Sequence, residues 1–155
     1  MREIDRIAKQ LERTYSGDAW HGPSLRKVLE GIGESEAKAR PIPDAHSIAE
    51  IAAHVLAWRE EAVRRLAGKG GDVPVRGDWP EALGWTELLD ALDRSQNALT
   101  EKVFELDEAI LEEKVEGRRE SHYVLLQGII HHDLYHAGQI AILKKVLSGP
   151  SPKDA

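Results

Sequence analysis

Residues 121–147 form a long run in which apolar side chains recur every three or four positions, with His132 and His136 set inside it. That period is helical, and the run is far too long for a strand. Advancing about 100° per residue from His132 brings Leu125, Gly128, Ile129, His136, Gln139 and Leu143 within roughly 60° of it. Both imidazoles therefore share the face that the apolar stripe assigns to the core. Burying them costs free energy unless their ring nitrogens are bonded. Two placements meet that demand. The nitrogens converge on one metal ion, with a third ligand from another segment, or they bond to backbone and carboxylate partners in a polar seam. Gly128, one turn before His132, withholds a side chain and leaves room for a ligand or a neighbouring helix.

Four further helical stretches can be read, with little strand signal. Residues 2–15 place Ile4, Ile7, Ala8, Leu11 and Tyr15 on one face. Ser16-Gly17-Asp18 interrupts that helix, and Pro23-Ser24 opens another turn through about Gly31. Pro41-Ile42-Pro43 then forces an extended passage. Ser47 and Glu50 make the capping box that starts a helix ending near Ala67, before Gly68-Lys69-Gly70-Gly71. The Gly- and Pro-rich loop through Asp78-Trp79-Pro80 leaves space for only a short edge strand at Val73-Pro74-Val75. A helix opens near Trp85-Thr86 with Thr86 capping, and carries Leu88, Leu89, Leu92, Leu99, Val103 and Leu106. A polar connector at 107–120 leads to the last helix, which stops at Gly149-Pro150.

These elements predict an all-α, antiparallel helical bundle with long loops and an interrupted first helix. At 155 residues the chain is expected to be one domain over 1–149, with a frayed tail at 150–155. A net charge of -6 argues against a nucleic-acid surface. With no cysteine, any transition metal must be held by histidine and carboxylate. The charged start Met1-Arg2-Glu3-Ile4-Asp5 and the lack of a membrane-length apolar run lead to the expectation of a cytoplasmic protein with no membrane partner.

His54 lies at the margin of the stripe Ile48, Ile51, Val55, Ala62 and Leu66, beside Glu50, Trp58 and Glu61. It is either a boundary histidine packed on Trp58 or a group facing the seam of His132 and His136. Glu50 and Glu61 read as solvated, with orientation of that imidazole or proton acceptance as the alternative. His131 points about 100° from His132, toward a flank. His122 lines a cavity mouth or meets solvent; His46 is a boundary residue, and His21 sits in an exposed break. The four tryptophans read as anchors for the core and its loops, with a pocket wall as the second option.

The stretch Leu125-Leu126-Gln127-Gly128-Ile129-Ile130-His131-His132-Asp133-Leu134-Tyr135-His136-Ala137-Gly138-Gln139-Ile140 closely resembles the signature helix of the DinB/YfiT-like metalloenzymes. Ile48-Ala49-Glu50-Ile51-Ala52-Ala53-His54-Val55-Leu56-Ala57-Trp58 resembles their other motif, and Ala19-Trp20-His21-Gly22-Pro23-Ser24-Leu25 a segment found in part of the family. The resemblance implies a four-helix bundle and a divalent metal, zinc or nickel, on His54, His132 and His136. It also implies a homodimer, and a small-molecule substrate joined in some branches by a low-molecular-weight thiol. The family name carries no DNA chemistry.

Three histidine ligands leave open positions on the metal, the arrangement of a catalytic site. The foremost expectation is a metal-dependent enzyme, a thiol S-transferase or a hydrolase. Behind it stand a non-catalytic metal- or small-molecule-binding stress protein and a metal-free helical interaction domain. No residue is assigned a catalytic role, Glu50 included.

Overall fold

Helix α4, Ile48–Leu66, begins where the capping box places it. In the computed structural model, which describes residues 1–149, Ser47 Oγ accepts the Glu50 N–H at 3.2 Å. Glu50 Oε2 in turn accepts the Ser47 N–H at 2.7 Å, so two otherwise unpaired donors are satisfied reciprocally. The other long helices are α1 (Glu3–Tyr15), α5 (Trp85–Phe104) and α6 (His122–Ser148). Short helices α2 (Leu25–Leu29) and α3 (Glu34–Lys38) fill the passage from α1 to α4, and a 3₁₀ helix spans Glu108–Glu112. The tail at 150–155, expected to fray, lies outside the described residues.

No strand forms among the described residues, where pairing is confined to isolated bridges between Ala19 and Gly22 and between Lys114 and Ser121. Val73 and Val75 are exposed in the loop after α4 and pair with nothing. Two sequence expectations shift by small amounts. Thr86 is not the cap of α5: Gly84 occupies that position without a side-chain bond, and Trp85 is already helical. The connector at 107–120 holds the 3₁₀ turn, with Leu111 and Val115 in the core. Among the described residues, no helix is long and apolar enough to cross a membrane.

Helix α4 packs on α5 and α6, and α1 packs on the same two helices from the other side. The core divides into two clusters that fix the directions of the helices. One joins Tyr15, Ile48 to Leu56, Trp85 to Leu92, and Ala137 to Leu143. The other joins Ile4 to Leu11, Ala62 and Leu66, Leu99 and Val103, and Leu125 to Ile130. The start of α4 therefore meets the end of α6, the antiparallel arrangement. Helices α4 and α5 instead run in the same direction, and the long connection at 67–84 follows from that, because it must return the length of a helix.

The buried face of α6 is centred on Leu126, Ile129, Asp133, His136 and Ile140, not on His132. His132 sits on one flank of it, turned toward α4. Gly128 is exposed, and a methyl group at its Cα would meet nothing within 4 Å. No neighbouring helix approaches that glycine. Asp133, at 0 % exposure, is held by Arg59 of α4, also at 0 %. Arg59 reaches Asp133 through Nη1 and Gln96 Oε1 through Nη2, and donates from Nε to Ser95 Oγ at 3.1 Å. Its guanidinium lies 4.7 Å from the centre of the Tyr15 ring. One side chain thus ties α4 to α1, α5 and α6.

An isolated buried charge is far costlier than a paired one. Full burial pushes the Asp133 carboxyl up to about 6, against the pull of the Arg59 charge and hydrogen bond. Removing either partner leaves the other stranded. Urea unfolding of Arg59→Met is expected to show a loss of about 3–5 kcal/mol, whereas adding Asp133→Leu recovers much of it. A loss below about 1 kcal/mol in the single variant contradicts this account, since that is the scale of an exposed pair.

Candidate metal centre

His54 stands on α4 one turn after Glu50, and the antiparallel pairing of α4 with α6 brings it level with His132 and His136. One ring nitrogen from each of the three histidines lies within 4.8 Å of the others. His54 Nε2 and His132 Nε2 are 2.9 Å apart. His54 and His136 are buried, at 6 % and 4 % exposure, and His132 is half-buried. Of the two placements open to His54, the seam is the one adopted, with Trp58 meeting its edge at 6.4 Å between ring centres.

Hydrogen bonds to Nδ1 fix which nitrogen faces inward in two of the three rings. His54 Nδ1 lies 2.5 Å from the carbonyl oxygen of Asp78, which can only accept, so Nδ1 carries the proton and Nε2 holds a lone pair. His136 Nδ1 donates to Gln139 Oε1 at 2.7 Å, with the same consequence. His132 Nδ1 is buried without a partner. Burial drives the His132 imidazole down to about 3, helped by the neighbouring His136 and His54. Burial likewise lowers His136, though the Gln139 bond opposes it. These two rings are therefore neutral at pH 7, with lone pairs available to a cation. Three convergent imidazoles, two of them oriented from behind by acceptors on Nδ1, are the donor set that a divalent transition metal takes.

The loop at 67–84 closes one side of the cluster. Trp79 lies between two imidazoles, stacked on His46 at 3.6 Å and on His54 at 4.0 Å between ring centres. Asp78 is anchored by the indole N–H of Trp58, which donates to its Oδ1 at 2.7 Å. That carboxylate oxygen is also 3.4 Å from His54 Nδ1. Asp78 is the residue that sequence reasoning missed, while Trp79 takes the second option read for the tryptophans, a pocket wall. The signal for Asp78 was a tryptophan and an acid together in a Gly/Pro-rich loop, where neither is needed for turn geometry.

The remaining candidates fall elsewhere. Glu50 is partly buried and bound to Ser47 and Arg40, so it does not orient His54. Burial works to raise its pKa, but the Ser47 bonds and the Arg40 charge prevail and lower it. Glu61, expected to be solvated, is 1 % exposed; it accepts the Gly71 N–H at 2.6 Å and pairs with Arg65. It pins the loop, not the imidazole. His46 is exposed at the rim beside Trp79, while His131 and His21 are exposed away from the cluster. His122 is neither a cavity lining nor solvated: it is 7 % exposed and bonds through Nδ1 to the Glu113 carbonyl at 2.9 Å. Trp85 is a core anchor, donating to the Ile32 carbonyl at 2.7 Å, but Trp20 is fully exposed and anchors nothing.

Asp78 supports His54 from behind, so Asp78→Ala is expected to weaken zinc binding about tenfold, the lower end of such effects because the carbonyl is kept. Glu50→Gln is expected to leave it unchanged. Competition with a chromogenic chelator measures both. Equal losses in the two variants contradict the assignment of Asp78 as the supporting group.

The comparison with known families bears on this geometry. Residues 19–140, which hold the three histidines, Asp78 and Trp79, match the family described as the DinB superfamily. Comparison with curated proteins and with solved structures gives no match. The match extends over most of the chain and includes α2 through most of α6, leaving α1 outside it. The chain belongs to the DinB superfamily.

Proposed function

We propose that this protein is a divalent-metal enzyme, a thiol S-transferase or a hydrolase, whose metal is held by His54, His132 and His136. The observation that carries the reading is the inward convergence of the imidazoles, two of them fixed by acceptors on Nδ1. Zinc or nickel suits neutral nitrogen donors without a thiolate. A bound ion there supplies Lewis acidity, lowering the pKa of a water or a thiol brought to its open positions.

The chain's own residues prepare that event. Asp78 and Gln139 hold two rings in one orientation, so the lone pairs are set before any ligand arrives. Trp79 covers the His54 face and keeps bulk water from it. The group of donors contains three imidazoles and no carboxylate among the described residues. A metal-bound water gains from a general base beside it, whereas a thiol, far more acidic before it binds, releases its proton to solvent without one. This favours the S-transferase, with a small-molecule electrophile and a low-molecular-weight thiol as substrates.

Protein purified without an affinity tag is expected to carry about one equivalent of zinc or nickel by elemental mass spectrometry. The combined His54→Ala, His132→Ala, His136→Ala variant, checked for helix content by circular dichroism, is expected to carry none. Native protein without metal and without uptake on titration removes the metalloenzyme reading.

A further inference from the structure

Beside the histidine cluster, on the side not covered by Asp78, lies a pocket of about 360 Å³. Its walls include Trp79, Tyr135, Ile142 and Leu143, and His136 and Gln139 lie at its inner side. His46 stands at the rim, stacked on Trp79. Among the described residues, no lysine, arginine, aspartate or glutamate lines it. The Tyr135 ring meets the His136 ring edge-on at 5.1 Å, and the Trp79 ring meets it at 6.2 Å. The volume falls at the small end of the range for ligand sites, enough for a compact ring system and not for an extended polar molecule.

One polar group in this wall has a defined direction. Gln139 Oε1 is the amide atom turned to His136 Nδ1, at 2.7 Å, and accepts its proton. The Gln139 N–H groups are then left as donors at the edge of the pocket. The wall is largely apolar, with the Gln139 amide as an inner donor and no carboxylate, lysine or arginine among the described lining residues. It selects against an ionised ligand in the metal-free protein, because a charge moved there loses its hydration with little to replace it.

We propose that this pocket takes the apolar, uncharged part of the substrate, an aromatic or compact aliphatic group bearing one neutral hydrogen-bond acceptor that Gln139 holds. The assignment rests on the metal-centre reading for its chemical purpose, but the pocket itself is tested without metal. The acceptor, fixed beside His136, brings the adjoining bond of the substrate to the open side of the cluster. The thiol's charged portion has no counterpart in this wall and approaches from outside it.

Ligand-observed NMR titrations with acetylnaphthalene and naphthalenesulfonate, on metal-free and zinc-loaded protein, provide the test. The neutral ketone is expected to bind at least about tenfold tighter than the sulfonate to the metal-free protein, as the cost of an unpaired charge dictates, with a smaller margin once zinc offsets that charge. Ile142→Glu changes an exposed rim residue and is expected to weaken the ketone at least about fivefold while zinc stoichiometry stays unchanged. In Gln139→Leu the advantage of acetylnaphthalene over plain naphthalene is expected to vanish. Equal binding of the sulfonate to the metal-free protein, an unaffected Ile142→Glu, or a ketone advantage that survives Gln139→Leu overturns the proposal. Binding of the ketone to a protein that never takes up metal upholds the pocket and removes the metal centre. Metal uptake without ketone binding does the reverse.

Discussion

The buried contact between Arg59 and Asp133 is the constraint on which the arrangement of the bundle depends. Both side chains are fully withdrawn from solvent, and neither tolerates that position alone. Hydrophobic packing would permit α4 and α6 to slide or rotate by a fraction of a turn at modest cost, since apolar contacts are not directional. A guanidinium that must meet Asp133, Gln96 and Ser95 together does not permit it. His132 is the residue next to Asp133, and His54 precedes Arg59 on the same helix by little more than one turn. The ion pair therefore sets the register in which the three imidazoles meet.

The same contact explains a rotation that periodicity alone mistook. Hydrophobic spacing on α6 is compatible with several centres for the buried face, and the reading from His132 outward placed Gly128 inside. The structure turns that face so that Asp133 lies at its centre and Gly128 lies in solvent. An aspartate at a core position looks like an error in the stripe until its partner is found. The partner was legible: Arg59 continues the series Val55, Ala62 and Leu66 on α4, a basic residue where the stripe calls for an apolar one. Two charges of opposite sign, each interrupting an apolar face, are together a signal that each alone is not.

Much else could be read from residue order because its physics is local. The start of α4 needed only Ser47 and Glu50, and the breaks before α2 and after α4 needed only glycine and proline. The three histidines were marked by spacing on α6 and by family resemblance on α4, and the structure brings them together. The cover over His54 was not legible. It depends on the loop at 67–84 crossing back along the bundle because α4 and α5 run the same way, and on Glu61 being buried to fasten Gly71. Those are long-range consequences of topology, with no periodic trace in a Gly/Pro-rich segment.

Topology and chemistry meet in that loop. The histidines stand on helices, whose backbone is rigid and whose side chains are held by packing and by second hydrogen bonds, so the donor set is formed before any ligand arrives. The proposed substrate pocket draws on groups outside the core: Trp79 comes from the loop, while Tyr135 and Ile142 come from the exposed face of α6. A helix offering Asp133 and His136 inward and Tyr135 and Ile142 outward serves both purposes with neighbouring residues. Changes on the outward face can alter what enters the pocket without disturbing the ion pair or the imidazoles. Changes on the inward face cannot be made one residue at a time, because Arg59 leaves Asp133 no neutral substitute unless it changes as well.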